Sequence, residues 1–231
     1  MAHLAHQSVW APPPPPATAR HPKLIYGTAW RKEKTRELVR MALRYGFRGL
    51  DTAAQPSVYD EAGLGEALYV SDKLPKMAAG DLKRSVIWLQ TKFVPPSEQD
   101  ENSSPYDPSA PVEEQVAQSV AFSLRNLRTT YLDCLLLSQP YASHEETLAA
   151  WRAMESQVEA GHVLSLGISN LYDLEGLERL WADATIKPRV LQNKFSQAGG
   201  FDTPLRIFCA QKSIQYQAYG AITANQEVMI S

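Results

Sequence analysis

From position 23 onward the chain switches repeatedly between two textures, and few folds tolerate that rhythm. Short apolar, β-rich runs occupy Leu24–Gly27, Phe47–Asp51, Val86–Lys92, Leu132–Ser138, Val163–Ile168, Val190–Asn193 and Ile214–Tyr219. Stretches with helical spacing lie between or beside them, at 33–45, 60–70, 112–128, 144–160, 172–183 and 203–212. In the first, Leu38, Met41, Ala42 and Tyr45 recur at the intervals an amphipathic helix requires. Ser143 and Glu146 form a capping box, so a helix should open at His144, and Gly161 supplies its stop. Strand–helix alternation repeated this often implies parallel strands with crossover helices, hence an α/β fold.

Two parallel architectures compete, an open doubly wound sheet and a closed TIM-type (β/α)8 barrel. A dinucleotide-binding open sheet should carry G-x-G-x-x-G directly after its first strand. Here that strand ends in Gly27-Thr28-Ala29-Trp30, and the nearby Gly63-Leu64-Gly65 falls inside an expected helix. The barrel is therefore preferred, although only seven strands are counted where eight are needed. Residues 1–22 stand apart: the proline run Pro12–Pro16 favours extended chain, so we expect a disordered Pro-rich tail and a folded domain over 23–231. His3 and His6 on that tail fall short of the four ligands of a closed zinc site, and no metal is expected.

Charge and composition exclude several classes. With 23 Lys+Arg against 25 Asp+Glu the net charge is −2, which leaves no electrostatic footprint for nucleic acid or an anionic membrane. Aliphatic runs such as Leu135-Leu136-Leu137 are far short of the roughly 20 residues that span a bilayer. No signal-peptide pattern opens the chain. Cys134 and Cys209 both sit in apolar segments, so a reducing, cytoplasmic setting is expected rather than a disulfide framework.

In a parallel barrel the chemistry lies at the carboxyl ends of the strands. Those ends read Asp51, Lys92, Ser138, Ser169-Asn170, Gln192-Asn193 and Tyr219. Asp51 and Lys92 close neighbouring strands, so opposite charges should face each other at the rim. They form either a structural ion pair or part of a working site, since charged side chains seldom take such positions without a partner or a task.

The segments Gly49-Leu50-Asp51-Thr52-Ala53, Gln90-Thr91-Lys92, Gly167-Ile168-Ser169-Asn170, Leu191-Gln192-Asn193 and Gln217-Ala218-Tyr219 together resemble the aldo-keto reductases. Asp51 to Tyr59, Thr91 to Pro96 and Tyr216 to Asn225 resemble a fungal-type branch of that family, and the similarity covers about residues 23–231. The resemblance implies an eight-stranded β/α barrel, NADP as cofactor, a small-molecule carbonyl substrate and reduction of an aldehyde or ketone to an alcohol, with a place in secondary metabolism. Its catalytic set falls on Asp51, Tyr59, Lys92 and Ser138. Its cofactor set falls on Thr28, Ala29, Asp51, Ser169, Asn170, Gln192 and Tyr219.

The implied chemistry has a physical logic. Tyr59 would protonate the carbonyl oxygen, although a phenol near pKa 10 is a reluctant donor. A Lys92 ammonium within about 4 Å would favour the phenolate by up to roughly 4 kcal/mol at an effective dielectric near 20, before desolvation is charged against it. Asp51 would hold Lys92 in place and charged. Plainer roles stay open: Tyr59 as a loop aromatic, Ser169-Asn170 as a strand-to-helix turn, and Gln192 as packing.

Two departures from the pattern bear on activity. The resemblance implies His where Ser138 stands, and a missing oxyanion-type donor costs about 10²–10³ in rate. His144 follows the helix cap and should point to solvent rather than substitute. The chain also stops at Ser231, where the helix after strand 7 begins, so the fold is expected to lack most of its eighth β/α unit, including basic cofactor contacts. Strands 1 and 7 would then be unpaired edges open to self-association. The alternative function is thus a catalytically weak relative acting as a binding or scaffold module. A serine hydrolase is set aside, because Gly167-Ile168-Ser169-Asn170-Leu171 lacks the final glycine of G-x-S-x-G. The connection 93–111, with five prolines and four acids, is either part of the substrate wall or disordered.

Overall fold

A computed structural model describes residues 20–71, 82–100 and 102–225. The proline run, His3 and His6 lie outside the described residues. Seven strands appear where the apolar runs lie: β1 (Ile25–Gly27), β2 (Gly49–Asp51), β3 (Trp88–Phe93), β4 (Cys134–Leu137), β5 (Leu166–Ser169), β6 (Val190–Lys194) and β7 (Gln215–Tyr219). Among the described residues six α-helices alternate with them: α1 (Thr35–Arg44), α2 (Glu61–Ser71), α3 (Val112–Leu127), α4 (His144–Glu159), α5 (Leu174–Asp183) and α6 (Thr203–Lys212).

All seven strands are parallel and pair in chain order, from β1 through β7. The sheet is strongly curled, because side chains from its two halves touch: Gln90 of β3 bonds Gln217 of β7, and Gln192 of β6 bonds Asp51 of β2. This is the (β/α)8 barrel with seven of its strands in place, and β1 and β7 are its edges among the described residues.

The two-residue period of a strand separates an inside from an outside. On β3, Trp88, Gln90 and Lys92 face the interior, while Leu89 and Phe93 join the apolar layer under the helices. That layer includes Leu50, Leu135, Leu137, Ile168 and Leu191 from the sheet, packed on Val120, Trp151, Met154 and Leu177 from the helices. The floor of the interior is a smaller apolar plug of Trp88, Cys134, Leu136 and Val190. Gly167 makes room there, since a side chain at that position would run into Leu136 and Val190. Gly65 does the same outside: any Cβ would meet the Asn126 carbonyl, so only glycine lets α2 and α3 approach this closely.

Three expectations need correction. Helix α1 forms where the spacing predicts, but its buried stripe is Thr35, Val39, Ala42 and Leu43, whereas Met41 is 42% and Tyr45 80% exposed. Apolar residues on both faces gave two competing phases, and the sheet selected the one with Val39 and Leu43 at its centre. The capping box of α4 is formed in both directions between Ser143 and Glu146. His144 nevertheless turns toward α5 instead of solvent, with its Nε2 2.8 Å from Asp183 Oδ2. Finally, residues that composition groups with the tail lie on the barrel: the His21 ring meets Trp88 edge-on at 4.9 Å, and Pro22 lies over Gly49.

Candidate active site

Parallel register places the polar residues at one end. Asp51 stands opposite both Gly27 and Gln90, Lys92 opposite Leu136, and Ser169 opposite Gln192. Lys92 Nζ donates to both Asp51 oxygens at 2.7 Å and to the Thr52 carbonyl at 2.9 Å. Desolvation works against the buried ammonium, but Asp51, Tyr59 and Glu61 more than offset it, so the Lys92 pKa lies above its ordinary value.

Tyr59 reaches the pair from the β2–α2 loop. That loop continues the ladder beyond β2, with Thr52 N–H bonded to the Gln90 carbonyl and Ala54 N–H to the Lys92 carbonyl. A turn then brings the Val58 and Tyr59 N–H groups to the Gln55 carbonyl. Asp60 caps α2 by accepting from Gly63 N–H at 2.8 Å, which fixes where the chain turns into the helix. The result puts the half-buried Tyr59 ring 5.3 Å from Lys92 Nζ, centre to nitrogen. Lys92 pulls the phenol pKa down by charge and hydrogen bonding. Burial and Asp51 outweigh it, so the net displacement is upward, contrary to the lowered phenol expected from the sequence. The sequence could show the ammonium beside the phenol but not how deeply the ring is buried.

The remaining residues gather around this centre. Thr28 Oγ1 donates to the Asp51 carbonyl at 2.9 Å. Gln192 Nε2 donates to Asp51 Oδ1 at 3.2 Å, and Ser169 Oγ to the Gln192 carbonyl at 2.7 Å. Asn170, in the left-handed region at φ +56°, donates to the Ser138 carbonyl and accepts from Tyr219 Oη at 2.7 Å. Burial pushes the Tyr219 phenol pKa up, while the residue as a whole stays 40% exposed. Ala29 is half-buried beside Thr28 and adds only its shape.

Ser138 Oγ, at the end of β4 beside Asn170, is buried and has no hydrogen-bond partner among the described residues. The open Tyr219 face is compatible with a planar, polar-edged group such as a nicotinamide, and the orphaned Ser138 hydroxyl leaves a donor for an oxygen acceptor beside it. The 93–111 connection is tied over the same end: Gln99 Nε2 donates to the Ala54 carbonyl and Gln55 Nε2 to the Glu98 carbonyl, both at 2.7 Å. Tyr106 anchors it by donating to the Val94 carbonyl at 2.6 Å.

Two sets of residues hold positions to which the sequence assigned no role, although Gln90 and Gln217 stand in segments that carry the family resemblance. Gln90 and Gln217 bond to the Asp51 cluster, and their i, i+2 spacing from Lys92 and Tyr219 was the available signal. Glu61 opens α2, accepts hydroxyl bonds from Thr91 at 2.6 Å and Ser123 at 3.0 Å, and is driven by burial up to about 7. Nothing in its local sequence marks it as buried.

A curled parallel sheet with its polar side chains collected at the carboxyl ends of the strands has the layout of β/α-barrel enzymes. The chain belongs to the Aldo/keto reductase family, whose pattern matches residues 23–225. The NAD/NADP-dependent indole-3-acetaldehyde reductase of Schizosaccharomyces pombe is 36% identical over 114 residues, 48% of this chain and 40% of that protein. The NADPH-dependent alpha-keto amide reductase of Saccharomyces cerevisiae is 28% identical over 182 residues, 77% of this chain and 50% of that one. An aldo-keto reductase from a Medee basin deep-sea metagenome library superposes with a TM-score of 0.69 at 25% identity, covering 90% of this chain and 66% of that structure. The chain thus spans about half the length of the curated relatives it matches.

Proposed function

We propose that the protein reduces an aldehyde or ketone to the alcohol with NADPH, and that Tyr59 is the proton donor, assisted by Lys92 and Asp51. The observation that carries this reading is the Asp51–Lys92 pair at 2.7 Å with the Tyr59 ring beside the ammonium. Relatives whose names specify NADPH-dependent or NAD/NADP-dependent reduction support the cofactor. Ser169, Asn170, Gln192 and Tyr219 would hold the nicotinamide, with Thr28, Ala29 and Asp51 along its flank, and bound NADPH supplies the hydride.

The protein's own residues handle the proton. An upward-shifted phenol keeps its proton at neutral pH, as a general acid must. As the carbonyl oxygen gains charge, the Tyr59 hydroxyl passes it that proton, and the adjacent Lys92 ammonium stabilises the phenolate left behind. Asp51 keeps the ammonium in place. Ser138 offers its unpartnered hydroxyl to the same oxygen, a shorter reach than a histidine would have.

That short reach favours a second reading, a weakly catalytic relative that binds or scaffolds, with β1 and β7 as edges for self-association. NADPH oxidation against a panel of aldehydes and ketones, with fluorescence titration and sizing, separates the two. The reductase reading expects turnover that Tyr59→Phe abolishes. Folded protein that neither binds NADPH nor turns over overturns it.

A further inference from the structure

We propose that Gln90 and Gln217 are positioning residues that hold Asp51 against Lys92, through a column of side-chain amides whose direction is set at its far end by Trp88 and His21. The proposal rests on the role given above to Asp51 and Lys92.

The column begins with strand geometry. Trp88, Gln90 and Lys92 alternate along β3 and so rise on one interior face, from the floor of the barrel to its polar end. Gln90 is fixed from both sides. Below it, the Trp88 indole N–H donates to Gln90 Oε1 at 2.7 Å, and an indole nitrogen can only donate. Above it, Gln90 Nε2 donates to Asp51 Oδ1 at 2.7 Å, and a carboxylate can only accept. The amide therefore has one allowed orientation.

Gln217 locks it across the barrel. Its Oε1 accepts from Gln90 Nε2 while its Nε2 donates to Gln90 Oε1, both at 2.8 Å. Gln192 Nε2 bridges the same group to Asp51, donating to Gln217 Oε1 at 2.9 Å and to Asp51 Oδ1 at 3.2 Å. The last Gln217 N–H points to His21 Nε2 at 2.9 Å. For that contact to be a hydrogen bond, His21 Nε2 must accept, so His21 is neutral with its proton on Nδ1. Burial of the imidazole, which lowers its pKa, acts in the same direction.

Every amide donor and acceptor of Gln90 and Gln217 is thus engaged, and reversing any one would set like poles together along the whole column. The effect is delivered at Asp51 Oδ1, which takes Gln90, Gln192 and Lys92 together. A carboxylate held by so many donors cannot rotate away from the ammonium. The groups facing Lys92 are Asp51 on β2, Tyr59 on the following loop, Glu61 on α2 and Cys134 on β4. Asp51 is the one whose direct bonds raise the lysine's proton affinity.

Methionine matches glutamine in length without its hydrogen bonds, so Gln90→Met and Gln217→Met remove the column while filling its space. Crystal structures of both variants are expected to show Asp51 turned away from its two-oxygen contact with Lys92. In pH profiles of NADPH-dependent turnover, kcat should fall about tenfold and the alkaline limb move down by about one pH unit, with KM for NADPH changed less than about twofold. An intact 2.7 Å Asp51–Lys92 contact with an unchanged profile in either variant overturns the proposal. Should the wild type show no turnover, the reductase reading fails by itself, and the variant structures still decide the column. Should neither variant fold, 15N NMR of wild-type His21 decides it: a proton on Nδ1 at pH 7 supports the assigned direction, and one on Nε2 overturns it.

Discussion

The two ends of the sheet each carry a carboxylate, a cation and a tyrosine ring and use them differently. At the amino end, Arg84 pairs with buried Asp133 at 2.8 Å and lies 4.0 Å over the ring of Tyr131. At the carboxyl end, Lys92 pairs with Asp51 at 2.7 Å and stands 5.3 Å from the ring of Tyr59. Arg84 also bonds Thr129 Oγ1 and the carbonyls of Ile87 and Tyr131, while Asp133 accepts from Leu89 N–H. The planar guanidinium, with its fixed fork of donors, stitches the approaches to β3 and β4 together. Lys92 is a compact charge beside a phenol at a rim where loops converge. An acid, a cation and a tyrosine do not make a site by themselves; the cation's shape and the end of the barrel decide.

The largest expected effect breaks this contrast at its functional end. Tyr59→Phe should lower kcat for carbonyl reduction by about 10²–10⁴-fold, while Tyr131→Phe leaves it within about twofold; steady-state NADPH oxidation checks both. The reverse holds for stability. Arg84→Met removes the cation paired with the buried Asp133, which keeps its bond from Leu89 N–H, and should cost about 3–5 kcal/mol in urea unfolding, with turnover per folded molecule nearly unchanged.

Glu61 sharpens the comparison as a buried acid with hydroxyl partners and, among the described residues, no directly bonded cation. Its folded pKa of about 7 exceeds the ordinary 4.5, so between those values the native state holds more protons than the unfolded chain. Stability from this group is therefore greatest below about pH 4.5 and falls as pH rises toward 7, by up to about 3 kcal/mol. Glu61→Gln should raise the melting temperature at pH 8 and change it little at pH 5, as calorimetry would show. The smallest effect concerns Ser138. Ser138→His should raise kcat about tenfold by extending a donor toward the substrate oxygen, and an unchanged or lower kcat would count against the proposed orientation of the substrate.

Much of this was legible in the chain. Period-two and period-3.6 patterns located the strands and helices to within a few residues, because sheet and helix layers must each bury one face. Asp51 and Lys92 were readable as partners because adjacent parallel strands put their ends side by side. The buried phase of α1 was not readable, since Met41 and Tyr45 offered the helix a second apolar face. Nor was the proton affinity of Tyr59, which is set by the Lys92 charge pulling it down against burial and Asp51 pushing it up.

By itself the sequence determined a parallel barrel and the residues at the ends of its strands, since both follow from local periodicity and chain order. Only the tertiary structure decided that Gln90 meets Gln217 from 127 positions away, that Glu61 is sealed between Thr91 and Ser123, and that His21 closes the column from below. Those contacts arise from the curl of the sheet. Curl is a property of all the strands together, and no window of sequence contains it.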